Sequence, residues 1–374
     1  DHRDLHRVDR RQRQMCIRDR RVPMRELKYS DAILEATDFS LAHDPTVLII
    51  GLGVPDPKGI FGTTSGLQDK YGDQRVMDMP LAENGMTGII IGASLNGFRP
   101  VLTHQRVEFA MLSIEQIVNQ AAKWFYMNAG QQNVPIVIRL IIGRGWGQGA
   151  QHSQSLESWF SHIPGLKVVM PSNAYDAKGL LISSIEDNNP VIFLEHRWLH
   201  NTIDNVPSEG YRIPIGEARV AREGKDLTIV AHSYMVLEAI RCADVLKTKG
   251  ISIEVIDLRS IRPLDTETIL NSVKKTGRLI VADNGWIHFG VSAEIISLVT
   301  ETIFDKLLCA PERIGMNDSP SPSTRALAEN FYPKAKNIAK IVCKVMRNNL
   351  DLIVLFPEDN LPSDIPDPSF KGPF

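Results

Sequence analysis

The sequence is poor in cysteine. Its four, Cys16, Cys242, Cys309 and Cys343, lie far apart and form no CxxC pair. That excludes a disulfide framework and a cysteine-bound zinc, and it leads us to expect the reducing cytoplasm. Long apolar runs are missing too. IVIRLII and LIVLF are strand-sized, well short of the ~20 residues that cross a bilayer. Charge of one sign is missing: 42 Lys and Arg against 44 Asp and Glu leave a formal net charge of −2. There is no electrostatic case for nucleic acid or an anionic membrane. No GxxxxGK[ST] phosphate loop is present. GLGVPDPKG begins like a dinucleotide fingerprint, but Asp56 stands where the third glycine belongs, and Pro55 and Pro57 prevent a helix from opening there. No GxSxG surrounds Ser153, which argues against a serine hydrolase. HRWLH sets His196 and His200 four apart beside Glu195. A strand precedes them, so a polar loop is a better reading than a helical zinc motif.

What is present is an ordinary globular composition, 43% hydrophobic and 23% charged, in a chain long enough for two domains. The first 23 residues stand apart, with eight Arg, four Asp and no apolar period. They match neither a presequence, which avoids acids, nor a secretory signal; a disordered or foreign arm is expected, with a solvated native arm as the alternative. From Met24, short apolar runs alternate with helical patterns. TVLIIG (46–51), RPVLTH (99–104), VPIVIRLII (134–142), LKVVMP (166–171) and PVIFLEH (190–196) read as buried strands. In SIEQIVNQAAKWFYMNAG, Ser113 and Gln116 suggest a capping box and Gly130 a helix stop. Such alternation implies a doubly wound parallel α/β sheet over 24–203. Turn-rich NTIDNVPSEGYRIPIG (201–216) marks a boundary. The alternation then restarts over 214–346, giving a second, smaller α/β domain. The proline-rich segment 347–374 reads as an extended tail.

Two stretches carry chemistry. DMPLAENGMTG sets one acid, Glu83, at the mouth of a helix rich in small residues. Alone it reads as a first-turn acid favoured by the helix dipole. GRGWGQG (143–149) leads from a buried strand into His152, Ser153, Gln154 and Ser155, a polar run of the kind that ends in a pocket at the strands' carboxyl edge.

Together with KYGDQRVMDMPLAENGMTG, IVNQAAKWFYMNAG, AQHSQSLESWFSHIPGLKVVMPSNAYDAKGLL, EDNNPVIFLEH, IDLRSIRPLD and SVKKTGRLIVAD, these stretches resemble one family, in family order from about Met24 to Met346. It is the beta subunit of the first component of 2-oxo acid dehydrogenase complexes. The resemblance implies a transketolase-like pyrimidine-binding domain, then a transketolase C-terminal domain. It implies that Glu83 shares a proton with the aminopyrimidine of thiamine diphosphate, favouring the imino form that deprotonates the thiazolium. The glycines and serine after Glu83 would let the flat ring and a neighbouring subunit approach. By the same resemblance Phe109 packs by the pyrimidine, with Gln105 beside the cofactor, and His152 faces the substrate and lipoyl entrance. Ile136, Ser184, Ile185, Asp187 and Asn189 match a monovalent-cation (K+) site of some members, against a plain helix end.

The family's GDG diphosphate motif does not occur. An alpha-type chain is therefore expected to hold the diphosphate and Mg2+, in an alpha-two, beta-two tetramer with beta–beta pairing and a lipoyl-bearing acyltransferase as further partner. Departures cluster at the implied active-site mouth. Gly51, Leu52 and Gly53 replace a family stretch containing an acid; His104, Gln105 and Arg106 replace small or apolar residues; EHRWLHN replaces an ENELLYG-like stretch. Arg106 and His104 are thus candidates for recognising an anionic or phosphorylated substrate. The expected function is the beta subunit of a two-chain 2-oxo acid dehydrogenase that passes its acyl group to lipoyl-protein. A two-chain transketolase-like or acyloin-forming synthase is the alternative, and a non-catalytic assembly partner the third reading.

Overall fold

A computed structural model describes residues 23–143, 148–329, 331–357 and 364–366. The arm expected over the first 23 residues lies outside them, apart from Pro23, as does half of the expected tail.

Two sheets organise the chain. The strands are β1 (Met24–Lys28), β2 (Val47–Ile50), β3 (Val76–Met77), β4 (Arg99–His104), β5 (Val137–Ile142), β6 (Lys167–Val169), β7 (Val191–His196), β8 (Ile203–Pro207), β9 (Arg219–Arg222), β10 (Leu227–Ala231), β11 (Ile253–Asp257), β12 (Ser260–Arg262), β13 (Leu279–Trp286) and β14 (Glu312–Met316). The seven-stranded sheet has the order β12-β6-β7-β5-β4-β2-β3 and the five-stranded sheet β14-β13-β10-β11-β9. β5, VIRLII, and β7, VIFLEH, are buried at every position. That is the pattern of strands covered by helices on both faces. The single cation of β5, Arg139, is fully buried and forms a two-pronged ion pair with Glu195 of β7, Nε to Oε1 at 2.7 Å and Nη2 to Oε2 at 3.1 Å.

The two halves are joined more closely than their sequences suggest. β12, from the second half, pairs antiparallel with β6 of the first, Ser260 opposite Val169. Leu156 and Phe160 share one apolar core with Ile256, Leu258 and Val291. The expected boundary over 201–216 contains a strand: β8 pairs antiparallel with β1, Ile203 opposite Lys28. The expected tail contains a short helix, Leu352–Leu355, capped by the Asp351 carboxylate on Ile353 N at 3.0 Å.

One expected helix differs in detail. SIEQIVNQAAKWFYMNAG follows a 3-10 turn, Val107–Ser113, winds as a π-helix over Gln116–Ala121 and becomes α-helical over Ala122–Met127. The capping box does not form. Ser113 Oγ is buried without a hydrogen bond, and Gln116 Nε2 donates to Glu115 instead. The 3-10 turn already brings the chain in with helical curvature, so no free helix end is left to cap. Gly130, at φ +76°, does end the helix, donating to Phe125 O at 2.8 Å.

Candidate active site

Glu83 opens the helix Glu83–Leu95 and is only 7% exposed. Ala82, at the cap position, offers no side-chain oxygen. The Glu83 carboxylate has no hydrogen-bond or ion-pair partner among the described residues, so it is directed by burial and not by pairing. Along the same helix a Cβ at Gly85 or Gly92 would meet nothing within 4 Å, and at Gly88 would meet Gln116 Oε1 at 3.5 Å. Ile89 and the preceding Leu81 are 59% and 77% exposed. This helix surface is open and apolar, with a bare carboxylate at its start.

The helix packs on the 3-10 turn that carries Phe109. The Phe109 ring lies 5.4 Å from that of His152, tilted by 48°. Glu108 places the His152 loop, its Oε1 accepting from Gln154 N at 2.8 Å; Gly143 N, after β5, donates to Gln154 O at 3.1 Å. From the second half, Ser321 Oγ donates to Ser153 O at 3.1 Å. His152 Nδ1 is buried and unpartnered. Burial raises the Glu108 carboxyl, and Gln154 N opposes that rise.

The departures at the mouth form a second group. Gln105 Nε2 donates to Leu52 O at 3.2 Å, tying the end of β4 to the Gly51–Gly53 loop. Gly51 is required there: a Cβ would stand 2.4 Å from Thr103 O. Arg106 is 3% exposed; Nη1 donates to Gly143 O at 2.7 Å and Nη2 to Gln148. Its Nε is buried without an acceptor. Phe61 and Arg197, which the sequence did not single out, complete this group. The Phe61 ring takes the Arg106 guanidinium at 5.8 Å and that of Arg197 at 4.7 Å. Burial pulls each arginine down to about 10, which leaves both charged at neutral pH. Buried His104, its Nε2 unpartnered, is pulled down to about 4.

The HRWLH histidines do not form a metal pair. Arg197–Leu199 is a 3-10 turn; His196 Nδ1 accepts from Trp198 N at 3.2 Å, while His200 lies 3.6 Å from Glu195 Oε2. Glu195 is already committed to Arg139.

Comparison with known proteins decides the family of this chain. Residues 25–201 match the transketolase pyrimidine-binding domain and residues 216–338 the transketolase C-terminal domain. The pyruvate dehydrogenase E1 component subunit beta, mitochondrial, of Drosophila melanogaster is 43% identical over 90% of this chain and 93% of its own length. The chain belongs to the family of pyruvate dehydrogenase E1 beta subunits. The beta-1 subunit of Oryza sativa subsp. japonica is 44% identical over 84% of this chain and 86% of its own length, and that of Mus musculus 42% over 86% and 91%. A solved split-gene transketolase, described as an inactive beta4 tetramer, shares the fold with a TM-score of 0.70 at 22% identity, covering 86% of this chain and 98% of that one.

The E1 beta relatives correct one expectation. All three are named mitochondrial, which overturns the cytoplasmic placement. Separated free thiols report a reducing environment, not which compartment supplies it.

The expected monovalent-cation set is brought together, but its oxygens are already engaged. Arg99 Nη1 donates to Ile185 O at 3.1 Å and Asp187 O at 2.9 Å, and Lys167 pairs with the Asp187 carboxylate. Asp187 Oδ1 also accepts from Asn189 N at 2.8 Å, and Ile136 O from Val191 N at 2.9 Å. Ser184 Oγ turns back to Leu180 O. With a guanidinium and an ammonium in place, this turn does not fit a further cation.

Proposed function

We propose that this chain is the beta subunit of a two-chain, thiamine-diphosphate-dependent 2-oxo acid dehydrogenase, working in a mitochondrial-type complex. Membership of the E1 beta family supports the reaction class. The observation that carries the site is the unpartnered Glu83 carboxylate at the start of an open, small-residue helix surface. A flat aminopyrimidine fits there: its ring nitrogen would satisfy Glu83, and its face would lie on the small-residue surface beside Phe109. Bound thiamine diphosphate supplies an electron sink for decarboxylation. The chain's own work is to hold a proton at the Glu83 carboxylate, to exclude water with Phe109, and to present His152 at the entrance. The unpartnered Nδ1 gives His152 a free position toward a substrate or acyl acceptor.

The diphosphate and its Mg2+ need hard oxygen ligands in a Gly-Asp-Gly setting, which this sequence lacks. An alpha-type chain completes the site, in a heterotetramer that hands its acyl group to a lipoyl-bearing acyltransferase. Arg106 and Arg197 about Phe61 favour a substrate with an anionic group beyond its 2-oxo acid. The test is calorimetry of the purified chain with thiamine diphosphate and Mg2+, before and after adding its alpha-type partner. Tight metal-dependent binding and turnover are expected only in the pair. Turnover by the isolated chain would overturn the shared-site reading.

A further inference from the structure

The seam between the two halves buries three ionisable groups that the active site does not use. The parallel register of β10 and β13 sets Ala231 opposite Ala282, so the residues that follow, His232 just past β10 and Asp283 within β13, are neighbours where the pairing of the two strands ends. His232 Nε2 lies 3.2 Å from Asp283 Oδ1. Gly285 N and Ser292 N also donate to Asp283, at 3.1 and 2.9 Å. From the other half, Glu157 opens the short helix Glu157–Ser161 and points into this pair. Ligand atoms of Glu157, His232 and Asp283 all lie within 4.8 Å of one another, and all three side chains are fully buried. Both Glu157 oxygens lack a hydrogen-bond partner. Glycine makes the approach possible: a Cβ at Gly285 would stand 3.0 Å from Glu157 Oε1, and at Gly290 2.5 Å from Asp283 Oδ2.

This geometry invites a metal ion, but the hydrogen bonds oppose one. Asn284 Nδ2 donates to His232 O at 2.6 Å and also faces His232 Nδ1 at 3.0 Å. Nδ1 is therefore the acceptor, and the neutral ring carries its proton on Nε2, aimed at Asp283. A protonated ring nitrogen is no metal ligand. What the site must accommodate is a second buried carboxylate with no cation of its own.

We propose that Glu157, His232 and Asp283 form a proton-operated latch between the two halves, closed while Glu157 is protonated and loosened when it ionises. In the closed state neutral Glu157 faces an imidazole–carboxylate pair, and no net like-charge repulsion crosses the seam. Loss of the Glu157 proton sets two carboxylates against each other in a water-free contact. Burial, and then the Asp283 charge, raise the Glu157 carboxyl to about 7, within physiological range. Burial opposes a second proton on His232 while Asp283 and Glu157 favour one, and the Asn284 amide at Nδ1 holds the ring to its single Nε2 proton in the closed state. The other charged groups around the seam are already placed. Asp257 acts on His232 from β11, Arg262 of β12 donates to Ser161 O at 2.8 Å, and His162 and Glu294 line the groove beside the short helix. The latch helix follows the His152 loop directly, so loosening it frees the connection that carries His152.

The sign follows from the direction of the shift. A carboxyl raised in the folded protein adds stability that is present below its unfolded value and lost as pH rises toward about 7. The experiment is thermal unfolding of the full-length chain, alone and with its alpha-type partner, from pH 5 to pH 8.5, for wild type and Glu157→Gln. The wild-type midpoint should fall by several degrees relative to Glu157→Gln across that window, then run parallel above it. Parallel curves throughout overturn the latch. Asp283→Asn removes the facing charge and should move the fall to lower pH; an unmoved fall overturns it also. Infrared difference spectra between wild type and Glu157→Gln at pH 6 should show a protonated carboxyl band, and its absence would contradict the proposal. Zinc that raises the wild-type midpoint but not that of Glu157→Gln would replace the latch with a cation site.

Discussion

The rings of Phe109 and His152 stand 5.4 Å apart, joining the turn after β4 to the polar loop after β5. Glu108, next to Phe109, holds that loop by Gln154 N. Phe109 and His152 are therefore one unit, and the Glu83 helix packs against the same turn.

Glu83→Gln should leave fold and assembly intact and lower decarboxylation by at least about 10²-fold, the usual weight of a positioned proton-sharing group. Glutamine fills the same volume but cannot share a proton with a ring nitrogen. Proton exchange at the thiazolium carbon of the assembled enzyme is the direct readout. Exchange at the wild-type rate would remove Glu83 from the chemistry.

Arg106→Met should change substrate ranking more than stability. The guanidinium forms no ion pair with a carboxylate among the described residues, though the Glu108 charge lies near enough to favour its cationic form. A charge-assisted hydrogen bond contributes roughly 1.5–3 kcal/mol, so activity on 2-oxo acids bearing a second carboxylate should fall about 10- to 100-fold relative to uncharged ones. Specificity constants over a panel of 2-oxo acids check this. An unchanged ranking would make Arg106 only an anchor for the Gly143 loop.

His104→Phe should protect the chain from acid. Burial pulls His104 from its ordinary 6.5 to about 4, so the folded state resists protonation that the unfolded state accepts. The cost begins as pH falls below about 6.5 and grows to about 3 kcal/mol by pH 4. Urea unfolding at pH 7 and pH 5 should show a smaller loss for His104→Phe than for wild type. Equal losses would mean that His104 reaches solvent.

Glu195→Ala should destabilise strongly. It leaves the fully buried Arg139 with only Thr63 Oγ1, at 3.0 Å, as a side-chain partner. Removing one member of a buried pair costs about 3–5 kcal/mol. The double variant Arg139→Met with Glu195→Leu should recover most of it, and denaturant midpoints of the three proteins measure the difference. A single variant as stable as wild type would show that water reaches Arg139.

Much of the fold was legible in the sequence. The five apolar runs of the first half each became a strand, because a strand buried on both faces must be apolar along its whole length. Glu83, Phe109 and His152 could be marked because each sits in a local motif whose order the chain preserves. Tertiary structure decided what no local window contains. Arg106 and Arg197 share Phe61 only because β4, β7 and the Gly-rich loop after β2 end on one edge of one sheet. Arg99 of β4 and Lys167 of β6 took the oxygens expected to bind a cation, since the sheet that carries both strands, with β5 and β7 between them, brings their side chains to one helix end. Glu157, His232 and Asp283 carry no shared spacing. Strand register and the packing of the two halves bring them together, and burial then sets their charge.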